Sequence, residues 1–351
     1  MSDILVCDGS NLFVRAFFSM TDTTLQNSKS QDTTAVYVFL QHLRKMIATE
    51  KPEECYIIFD FGRDVRKKGL YKDYKANRNI DLGALAGYDL TVKMNEIESR
   101  KRQKEVIINA LKTLPVKLVI VKQIEGDCLI AFVAKHFIDR GKTVTVVSND
   151  KDFYQLLDHD NMKIFNPHKK QYIASCNMEE VFPIKNFPIP CYRLYKAIRG
   201  DSSDNIPGIK LFGDKKIQTM FDMFRECDPG KMPPRTVQEL YDDFEKCPKA
   251  KAKFFKYFDG QKELLELNYK LVDLIDMDWS PQSLQLIYSA IESKPSFSAM
   301  DFMQILIKEN INTILEKVQD WTKPFNLMLP KKNEPKKPEE HELDYKYDER
   351  P

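Results

Sequence analysis

Acidic residues follow four short apolar segments of this sequence. These segments are rich in β-branched residues, and runs of this length are typical of strands buried on both faces of a parallel sheet. The segments and the acids that follow them are 4–7 with Asp8, 56–59 with Asp60, 116–121 with Glu125 and Asp127, and 144–147 with Asp150 and Asp152. Because the carboxyl ends of parallel strands share one edge of a sheet, we expect these six carboxylates to meet there.

The loop IRGDSSDNIPGI, at residues 198–209, adds Asp201 and Asp204 directly before a Pro-Gly turn. Eight carboxylates in one cleft repel each other, and several would take up protons unless cations neutralised them. Mg²⁺ prefers oxygen ligands and is typically held by a few carboxylates beside a phosphate. Two such ions roughly 3.5–4 Å apart stabilise the attacking and leaving oxygens of a phosphodiester. The pattern therefore predicts metal-assisted phosphodiester hydrolysis.

Helix capping is the alternative explanation for any single one of these acids. Asp127 and Asp152 each precede a predicted helix, where backbone N–H groups and the helix dipole stabilise a carboxylate. Capping alone does not explain acids at four separate strand ends, two of which carry the pairs E-x-D and D-x-D. The joint pattern favours a metal site.

The segment from Arg63 to Arg78 carries seven basic and two acidic side chains, with Tyr71 and Tyr74 among them. Lysine and arginine neutralise phosphates, and aromatic rings offer stacking faces for bases. A second basic run follows at residues 100–104. A solvated basic helix face is the alternative, but a basic segment next to an acidic cleft favours a nucleic-acid substrate.

Helical periodicity fills the stretches between the strands, at residues 33–49, 92–113 and 129–140. Strands that alternate with helices predict an α/β fold with a central, mainly parallel twisted sheet flanked by helices. From about Cys191 helical patterns dominate, as at 261–275 and 299–318, so a helical region should pack on the sheet. The last residues, 330–351, are rich in lysine, glutamate and proline, which predicts a disordered tail.

The composition is that of a globular chain of 351 residues, with 42% hydrophobic and 30% charged residues and a net charge of +2. No apolar run approaches the ~18–20 residues of a membrane span, and the N-terminus lacks the features of a signal peptide. Seven scattered cysteines without a C-x-x-C pair predict neither a disulfide framework nor a zinc site. They favour a reducing, cytoplasmic location.

Six motifs of the sequence resemble those of the 5′ nuclease, or flap endonuclease, family. They are VCDGSNLFVRAFF at 6–18, IIFDFG at 57–62, YKANR at 74–78, IEGD at 124–127, VSNDKDFYQLL at 147–157 and GDSSDNIPGI at 200–209. They occur in the family order from residue 1 to about 216, and the combination is highly specific. The chain most resembles the bacteriophage ribonuclease H enzymes, and next the 5′ nuclease domain of bacterial DNA polymerase I.

The resemblance implies a PIN-like 5′ nuclease core and a metal-dependent 5′-3′ exonuclease and flap endonuclease. Such an enzyme would remove RNA primers or flaps during DNA replication and repair, from flapped or branched DNA or RNA/DNA hybrids. The cofactors would be two Mg²⁺ ions, which Mn²⁺ can replace. The implied first metal site consists of Asp8, Asp60, Glu125 and Asp127, and the second of Asp150, Asp152, Asp201 and Asp204.

The resemblance also implies how nucleic acid would bind. Lys75 and Arg78 would act on the scissile phosphate as catalytic residues, and Tyr74 would stack on a base. The backbone at Gly208 would approach a duplex phosphate within a helix–hairpin–helix motif. The other implied DNA-binding residues are Asn11, Arg66, Gly213, Lys215 and Lys216.

The implied organisation is a catalytic domain at 1–190 that includes a helical arch at about 63–105, followed by a helical region at 191–328. The helix–hairpin–helix motif would cover about 191–225, and the disordered tail 329–351. We expect a monomer in the cytoplasm, of the host cell for a phage protein, without membrane contact. The implied protein partners are a single-strand-binding protein and a sliding clamp.

Two positions depart from the family pattern. Cys128 stands where many members have a fourth acid, and Leu211 replaces a residue that often needs an unusual backbone angle. The second departure leaves open whether the hairpin binds a monovalent cation. Two other functions stay as alternatives: a non-catalytic structure-specific DNA-binding protein of the same fold, and a hydrolase of small phosphate esters with Asp8 as its nucleophile.

Overall fold

A six-stranded sheet forms the centre of the protein. The computed structural model describes residues 2–19, 25–62, 64–78, 87–275 and 279–329. The strands are β1 (Ile4–Asp8), β2 (Glu54–Ile58), β3 (Lys117–Val119), β4 (Val144–Val147), β5 (Met162–Asn166) and β6 (Gln171–Ile173). Their order in the sheet is β3-β2-β1-β4-β5-β6, and neighbouring strands are parallel except for β5 with β6. The predicted mainly parallel α/β fold is confirmed.

The order of the strands reverses between β1 and β4, which pair side by side. At such a switch point the connections after the two strands lead in opposite directions, which leaves a crevice at the carboxyl edge of the sheet. The acids that follow the first four strands all belong to this edge, because these strands run parallel to each other.

Helices cover both faces of the sheet. The described α-helices are α1 (Gly9–Phe17), α2 (Thr34–Glu50), α3 (Val65–Leu70), α4 (Gly87–Thr113), α5 (Gly126–Ile138), α6 (Tyr192–Arg199), α7 (Asp214–Cys227), α8 (Val237–Lys246), α9 (Pro248–Phe254), α10 (Lys262–Val272), α11 (Pro281–Glu292), α12 (Ala299–Lys308), α13 (Asn312–Leu315) and α14 (Val318–Thr322). The described 3₁₀ helices are Ala76–Arg78, Lys151–Leu156, Ser175–Glu180, Ile189–Cys191, Phe255–Tyr257 and Lys323–Met328. The helices predicted at 33–49, 92–113 and 129–140 correspond to α2, α4 and α5.

Alternate residues of β1 point into two separate hydrophobic cores. Ile4 and Val6 belong to a core that includes α5 and buried residues between positions 191 and 291. Leu5 and Cys7 belong to the opposite core, which α2, α4 and buried residues between positions 302 and 328 complete. The predicted C-terminal helical region thus contributes to both cores, and the proposed domain boundary near residue 190 stays a prediction.

The helical pattern at 299–318 does not form one continuous helix. The first helix of this stretch, α12, ends at Lys308, and Asn310 then adopts a left-handed backbone with a φ of 55°. A left-handed residue ends a helix because it turns the chain away from the helix axis. This turn allows Ile314 and Trp321 to reach the core beside α2.

One disulfide bond joins Cys227, at the end of α7, to Cys247, which follows α8. The expectation of a chain without disulfides is therefore wrong for this pair, because helix packing brings together two cysteines that the sequence separates by 20 positions. The other five cysteines, Cys7, Cys55, Cys128, Cys176 and Cys191, are free. Among the described residues, we find no helix with the length and hydrophobicity of a membrane span.

Candidate active site

Asp8 lies at the centre of the acidic edge, at the end of β1. Its carboxylate caps α1 by accepting the backbone N–H of Asn11 at 2.9 Å, and it accepts the hydroxyl of Ser148 at 2.9 Å. Burial, together with the negative charges of Asp60 and Asp150, raises the pKa of Asp8 to about 7 despite these hydrogen bonds. Asp8 therefore both caps a helix and belongs to the acidic edge of the sheet.

Asp60, which follows β2, and Asp127, in α5, add negative charge close to Asp8. The Oδ1 atom of Asp60 accepts the backbone N–H of Gly126 at 2.6 Å, and a Cβ at position 126 would lie 2.9 Å from that oxygen. A side chain at position 126 would therefore displace the Asp60 carboxylate. Burial raises the pKa of Asp127 well above its usual value, and repulsion from Asp150, Asp8 and Asp60 adds to the effect. Four of the predicted metal ligands, Asp8, Asp60, Asp127 and Asp150, share one electrostatic environment.

Asp152 and Asp201 form a second group around a lysine. The ammonium of Lys196, on α6, lies 2.6 Å from a carboxylate oxygen of each of these acids. Burial would raise the pKa of Asp201, but Lys196 and hydrogen bonds from Ser203 lower it to about 2. Burial raises the pKa of Asp152 in spite of Lys196. Sequence analysis missed Lys196, because nothing in its spacing indicates a contact with Asp152.

Glu125 and Asp204 form a third group around Tyr74. The Tyr74 hydroxyl lies 2.9 Å from Glu125 and 3.1 Å from Asp204, so its single proton can serve either carboxylate. Lys75 lies 2.5 Å from Glu125 and 3.6 Å from Asp204. Because Tyr74 is only 2% exposed, its ring offers no free face to a base, and the predicted stacking role is wrong. The tyrosine instead positions two of the predicted ligands.

The basic segment enters the site less directly than the sequence suggests. Arg66 forms a two-point ion pair with Asp64, the residue that caps α3. Lys67 is buried and lies 3.4 Å from Glu125. Burial opposes its charge, but the nearby carboxylates of Glu125, Asp127 and Asp64 raise its pKa. Residues 63 and 79–86 of the predicted arch, and the side chain of Arg78, lie outside the described residues.

Cys128 is fully buried behind this group, and burial raises the pKa of its thiol to about 12. Among the described residues, Asp64, Glu125 and Cys128 can bring one ligand atom each within 4.8 Å of one another. The nearby Lys67 ammonium lowers the pKa of this thiol, but burial outweighs it. The thiol is therefore protonated at neutral pH and does not replace the charge of a fourth acid.

Two glycines of the 200–213 loop, Gly200 and Gly208, are required by packing of the chain against itself. Gly200 has a φ of 67°, and a Cβ at either Gly200 or Gly208 would overlap backbone atoms of the other glycine. The same holds for Gly9, where a Cβ would lie 2.8 Å from the Ile58 carbonyl oxygen. Packing thus explains Gly9 and Gly208, and the approach of the Gly208 backbone to a duplex phosphate stays a prediction.

The region from Leu211 to Lys216 forms the surface beside this loop. Leu211 has a φ of 60° and is 85% exposed. The ammonium of Lys216 donates to the Leu211 carbonyl oxygen at 2.6 Å and to the Tyr257 hydroxyl at 3.0 Å. Gly213 precedes α7, and Lys215 is exposed in its first turn. The contact of Gly213, Lys215 and Lys216 with DNA stays a prediction.

A cavity of about 320 Å³ opens between the acidic edge and the basic segment. Five of the predicted site residues line it together: Asp60, Tyr74, Lys75, Glu125 and Asp127. Asp8 and Asp150 act on Asp127 through their charge. The structure thus places acids from two strand ends and a lysine in one cavity, with acids of the other two strand ends close enough to raise the pKa of Asp127.

A family model described as "5′-3′ exonuclease, N-terminal resolvase-like domain" matches residues 3–183. This match covers more than half of the chain. The chain belongs to the 5′-3′ exonuclease family. The match includes β1 to β6 and the acids from Asp8 to Asp152, so the acidic edge is part of the family's own domain.

Relatives of this exonuclease-family chain include a 5′-3′ exonuclease of Aquifex aeolicus (strain VF5). It is 29% identical over 290 residues, which are 82% of this chain and 87% of the relative. DNA polymerase I of Caldicellulosiruptor bescii is 24% identical over 86% of this chain, which spans only 34% of that longer protein. The match to the free-standing exonuclease thus covers most of both chains.

Two solved structures from bacteriophage T5 share the fold. A variant of the T5 D15 flap endonuclease, in a complex with DNA and metal ions, gives a TM-score of 0.57 at 16% identity. The T5 5′-exonuclease with bound zinc gives a TM-score of 0.60 at 17% identity. Each comparison covers 91% of this chain and 99% of the other. The exonuclease fold therefore extends through the helices after residue 183.

Proposed function

We propose that this chain is a divalent-metal-dependent 5′-3′ exonuclease and flap endonuclease. It hydrolyses phosphodiesters of DNA or RNA/DNA at junctions between single-stranded and duplex segments, and thereby removes primers or flaps during replication and repair. The observation that carries the proposal is the meeting of acids from four strand ends in and around a cavity that Lys75 also lines. Membership of the 5′-3′ exonuclease family supports it.

The crowding of carboxylates fits divalent cations. Burial and mutual repulsion raise the pKa values of Asp8 and Asp127, a state that bound cations would relieve. Asp8, Asp60, Glu125 and Asp127 would hold one Mg²⁺. Asp150, Asp152, Asp201 and Asp204 would hold a second, and Mn²⁺ could replace either ion. Such ions lower the pKa of water and compensate charge on the attacking and leaving oxygens of a phosphodiester.

The protein's own cations would act on the substrate phosphate. Lys75 lies in the cavity between Glu125 and Asp204, and these carboxylates raise its pKa against the effect of burial, so that it stays charged. Its ammonium can offset negative charge on the non-bridging phosphate oxygens as the bond breaks. Arg78 is proposed to share this role. The products would carry a 5′ phosphate and a 3′ hydroxyl.

The geometry disfavours a hydrolase of small phosphate esters. A nucleophilic Asp8 would need to face the substrate, but this residue is only 7% exposed and is not among the residues that line the cavity. Burial and neighbouring acids also raise its pKa to about 7. The non-catalytic DNA-binding protein differs from our proposal only in turnover, which a cleavage assay decides.

The test compares Asp127→Asn with a control acid at the opposite edge of the sheet. Asp160 is exposed and precedes β5, so Asp160→Asn changes charge by the same amount away from the cavity. Each protein is given a 5′-labelled flap, a nicked duplex and an RNA–DNA hybrid, with Mg²⁺ titrated from zero. We expect Asp127→Asn to lose roughly 10²–10³-fold in cleavage rate while it still binds the flap, and the control to match the wild type.

Two outcomes of this test contradict the proposal. Cleavage that persists in EDTA would exclude a metal-dependent reaction. A wild-type protein that binds the flap but cleaves none of the three substrates at any Mg²⁺ or Mn²⁺ concentration would favour the non-catalytic alternative.

A further inference from the structure

A second cavity, of about 500 Å³, lies beside the one at the active site. The two cavities share two walls. At the start of α3, Asp64 lines the first cavity and Arg66 the second; before α5, Glu125 lines the first and Ile124 the second. The two-point ion pair between Asp64 and Arg66 therefore stands between the two cavities. A ligand in the second cavity would lie next to the acidic edge.

An aromatic side chain, Trp279, lines this second cavity. Its ring is half-buried and packs edge-on against Phe132, with 5.2 Å between the ring centroids. The guanidinium of Arg66 lies 5.0 Å from the centroid of the same ring. Val65 and Ile124 complete an apolar lining. Flat, apolar walls that include an indole and a guanidinium suit a planar ring such as a nucleobase.

The polar part of the lining suits the rest of a nucleotide. Lys122 supplies positive charge and Arg66 a guanidinium, and the described lining residues include no carboxylate. Gln123, which has a φ of 64°, and two serines provide hydrogen-bonding groups for a base edge or a sugar. The volume lies within the usual range of about 300–1,000 Å³ for small-ligand pockets. Charge, shape and polarity thus agree on one class of ligand.

We propose that this cavity binds one nucleotide of the substrate, adjacent to the cleaved phosphate, with its base against Trp279 and Arg66 and its phosphate near Lys122. The inference rests on the proposed function, because it assumes a nucleic-acid substrate in the neighbouring cavity. It adds a subsite that holds the strand by a base contact, independent of the acids that carry out the cleavage.

The first test uses the fluorescence of the two tryptophans. Trp321 is 5% exposed and stacks between Phe302 and Phe325 in the core, so Trp279 is the tryptophan that a base can reach. Short single-stranded oligothymidylate is titrated in EDTA, which prevents metal-dependent cleavage. We expect quenching in the wild type and in the control Trp321→Phe, and no quenching in Trp279→Phe.

The second test measures cleavage of a flap with an abasic site placed, in turn, at each position next to the cleaved phosphate. At one position the abasic site should raise the KM of the wild type about tenfold, the loss expected for one stacked base. Trp279→Ala should raise KM by a similar factor on the intact flap and be insensitive to that abasic site. Such non-additivity shows that the base and the tryptophan act together.

A charge variant gives a result that does not depend on packing around the tryptophan. Lys122 is exposed, and Lys122→Gln should weaken oligothymidylate binding and reduce its salt dependence. The control is Lys112→Gln, an exposed lysine near the end of α4, at the opposite edge of the sheet.

Three outcomes would overturn the subsite: quenching that persists in Trp279→Phe, no quenching of the wild type at concentrations that saturate cleavage, or additive effects of Trp279→Ala and every abasic site. Failure of the proposed function looks different. In that case the wild type cleaves no substrate in Mg²⁺, whereas the fluorescence titration still reports whether the cavity binds a base.

Discussion

Four of the predicted metal-ligating carboxylates accept a hydrogen bond from a residue at least five positions away in the sequence. These pairs place the acids before any substrate arrives, and a site that is already in position reorganises little during a reaction. The donors also explain how like charges tolerate such proximity, because every hydrogen bond to a carboxylate favours its charged form. The pairs are Asp8 with Ser148, Asp60 with Gly126, Glu125 with Tyr74, and Asp201 with Lys196.

The residues of this arrangement differ in how far the sequence reveals them. Asp8 and Asp150 could be predicted because each acid follows an apolar strand. Lys196 could not, since it bridges Asp201 on the next loop and Asp152, which is distant in sequence. The basic residues around Tyr74 suggest base stacking. The position of its hydroxyl between two carboxylates depends on the three-dimensional fold, so the sequence could not predict it.

The raised pKa of Asp8 makes stability depend on pH in the absence of metal. An ordinary aspartate has a pKa of 3.8, whereas buried Asp8 has one of about 7, so the folded state binds a proton that the unfolded state releases between these values. The resulting stabilisation is complete below about pH 4 and is lost as the pH rises through 7. Removal of the carboxyl charge in Asp8→Asn should therefore make the protein more stable than the wild type at high pH.

Urea unfolding in EDTA between about pH 5 and 8 measures this difference. We expect the unfolding free energy of the wild type to fall relative to Asp8→Asn as the pH rises, by up to about 4 kcal/mol over the full titration. Added Mg²⁺ should reverse the order at pH 8, since it binds the charged form. Parallel pH profiles for the two proteins in EDTA would contradict the assignment.

At the scale of elements, burial decides which strands the sequence reveals. All residues of β4 are buried, and its apolar run could be recognised directly. In β5, buried and half-buried residues alternate, and in β6 only the last of its three residues is buried. Because these two strands lie towards one side of the sheet, their sequences lack the continuous apolar run that marks a central strand.

The turn between α6 and α7 depends on a close contact between two glycines. A Cβ at position 208 would overlap the Arg199 carbonyl oxygen, so Gly208→Ala must displace the loop that carries Asp201 and Asp204. We expect a loss of about 3 kcal/mol in unfolding free energy. Gly213→Ala is the matched control, because a Cβ there meets no atom within 4 Å, and its cost should be about 1 kcal/mol or less.

Chemical denaturation of both glycine variants in parallel gives these values. If Gly208→Ala proved as stable as Gly213→Ala, the close packing of the loop against α6 would not be a property of the folded protein. The comparison concerns stability alone, so it is independent of how the loop meets a substrate.

At the scale of the whole molecule, the C-terminal helices complete the core on one face of the sheet. The buried carboxylate of Glu309 forms an ion pair with Arg102 on α4, and Arg44 on α2 donates to the Trp321 carbonyl oxygen at 2.9 Å. The sequence predicted helices here but not that they return to α2, since periodicity describes one face of a helix and not its partner. The catalytic sheet and its C-terminal cover should therefore unfold together.

Two shortened chains test this dependence. A chain ending at residue 297 lacks seven buried side chains of the core beside α2, each of which contributes roughly 1.5–3 kcal/mol. Their sum, about 10–20 kcal/mol, is as large as the stability of about 5–15 kcal/mol that a domain typically has. The seven are Phe302, Leu306, Ile311, Ile314, Trp321, Phe325 and Met328.

We expect the chain ending at 297 to aggregate or to lack a cooperative thermal transition by circular dichroism. The control ends at residue 329, the last described residue, and it should keep the Tm of the full chain because it retains both cores. A cooperative transition at the full-length Tm for the chain ending at 297 would show that the sheet folds without its C-terminal cover. It would also show that these helices are not needed to position the acidic edge. The opposite result is expected because Leu5 of β1 and Ile57 of β2, the strands that lead to Asp8 and Asp60, pack into this same core.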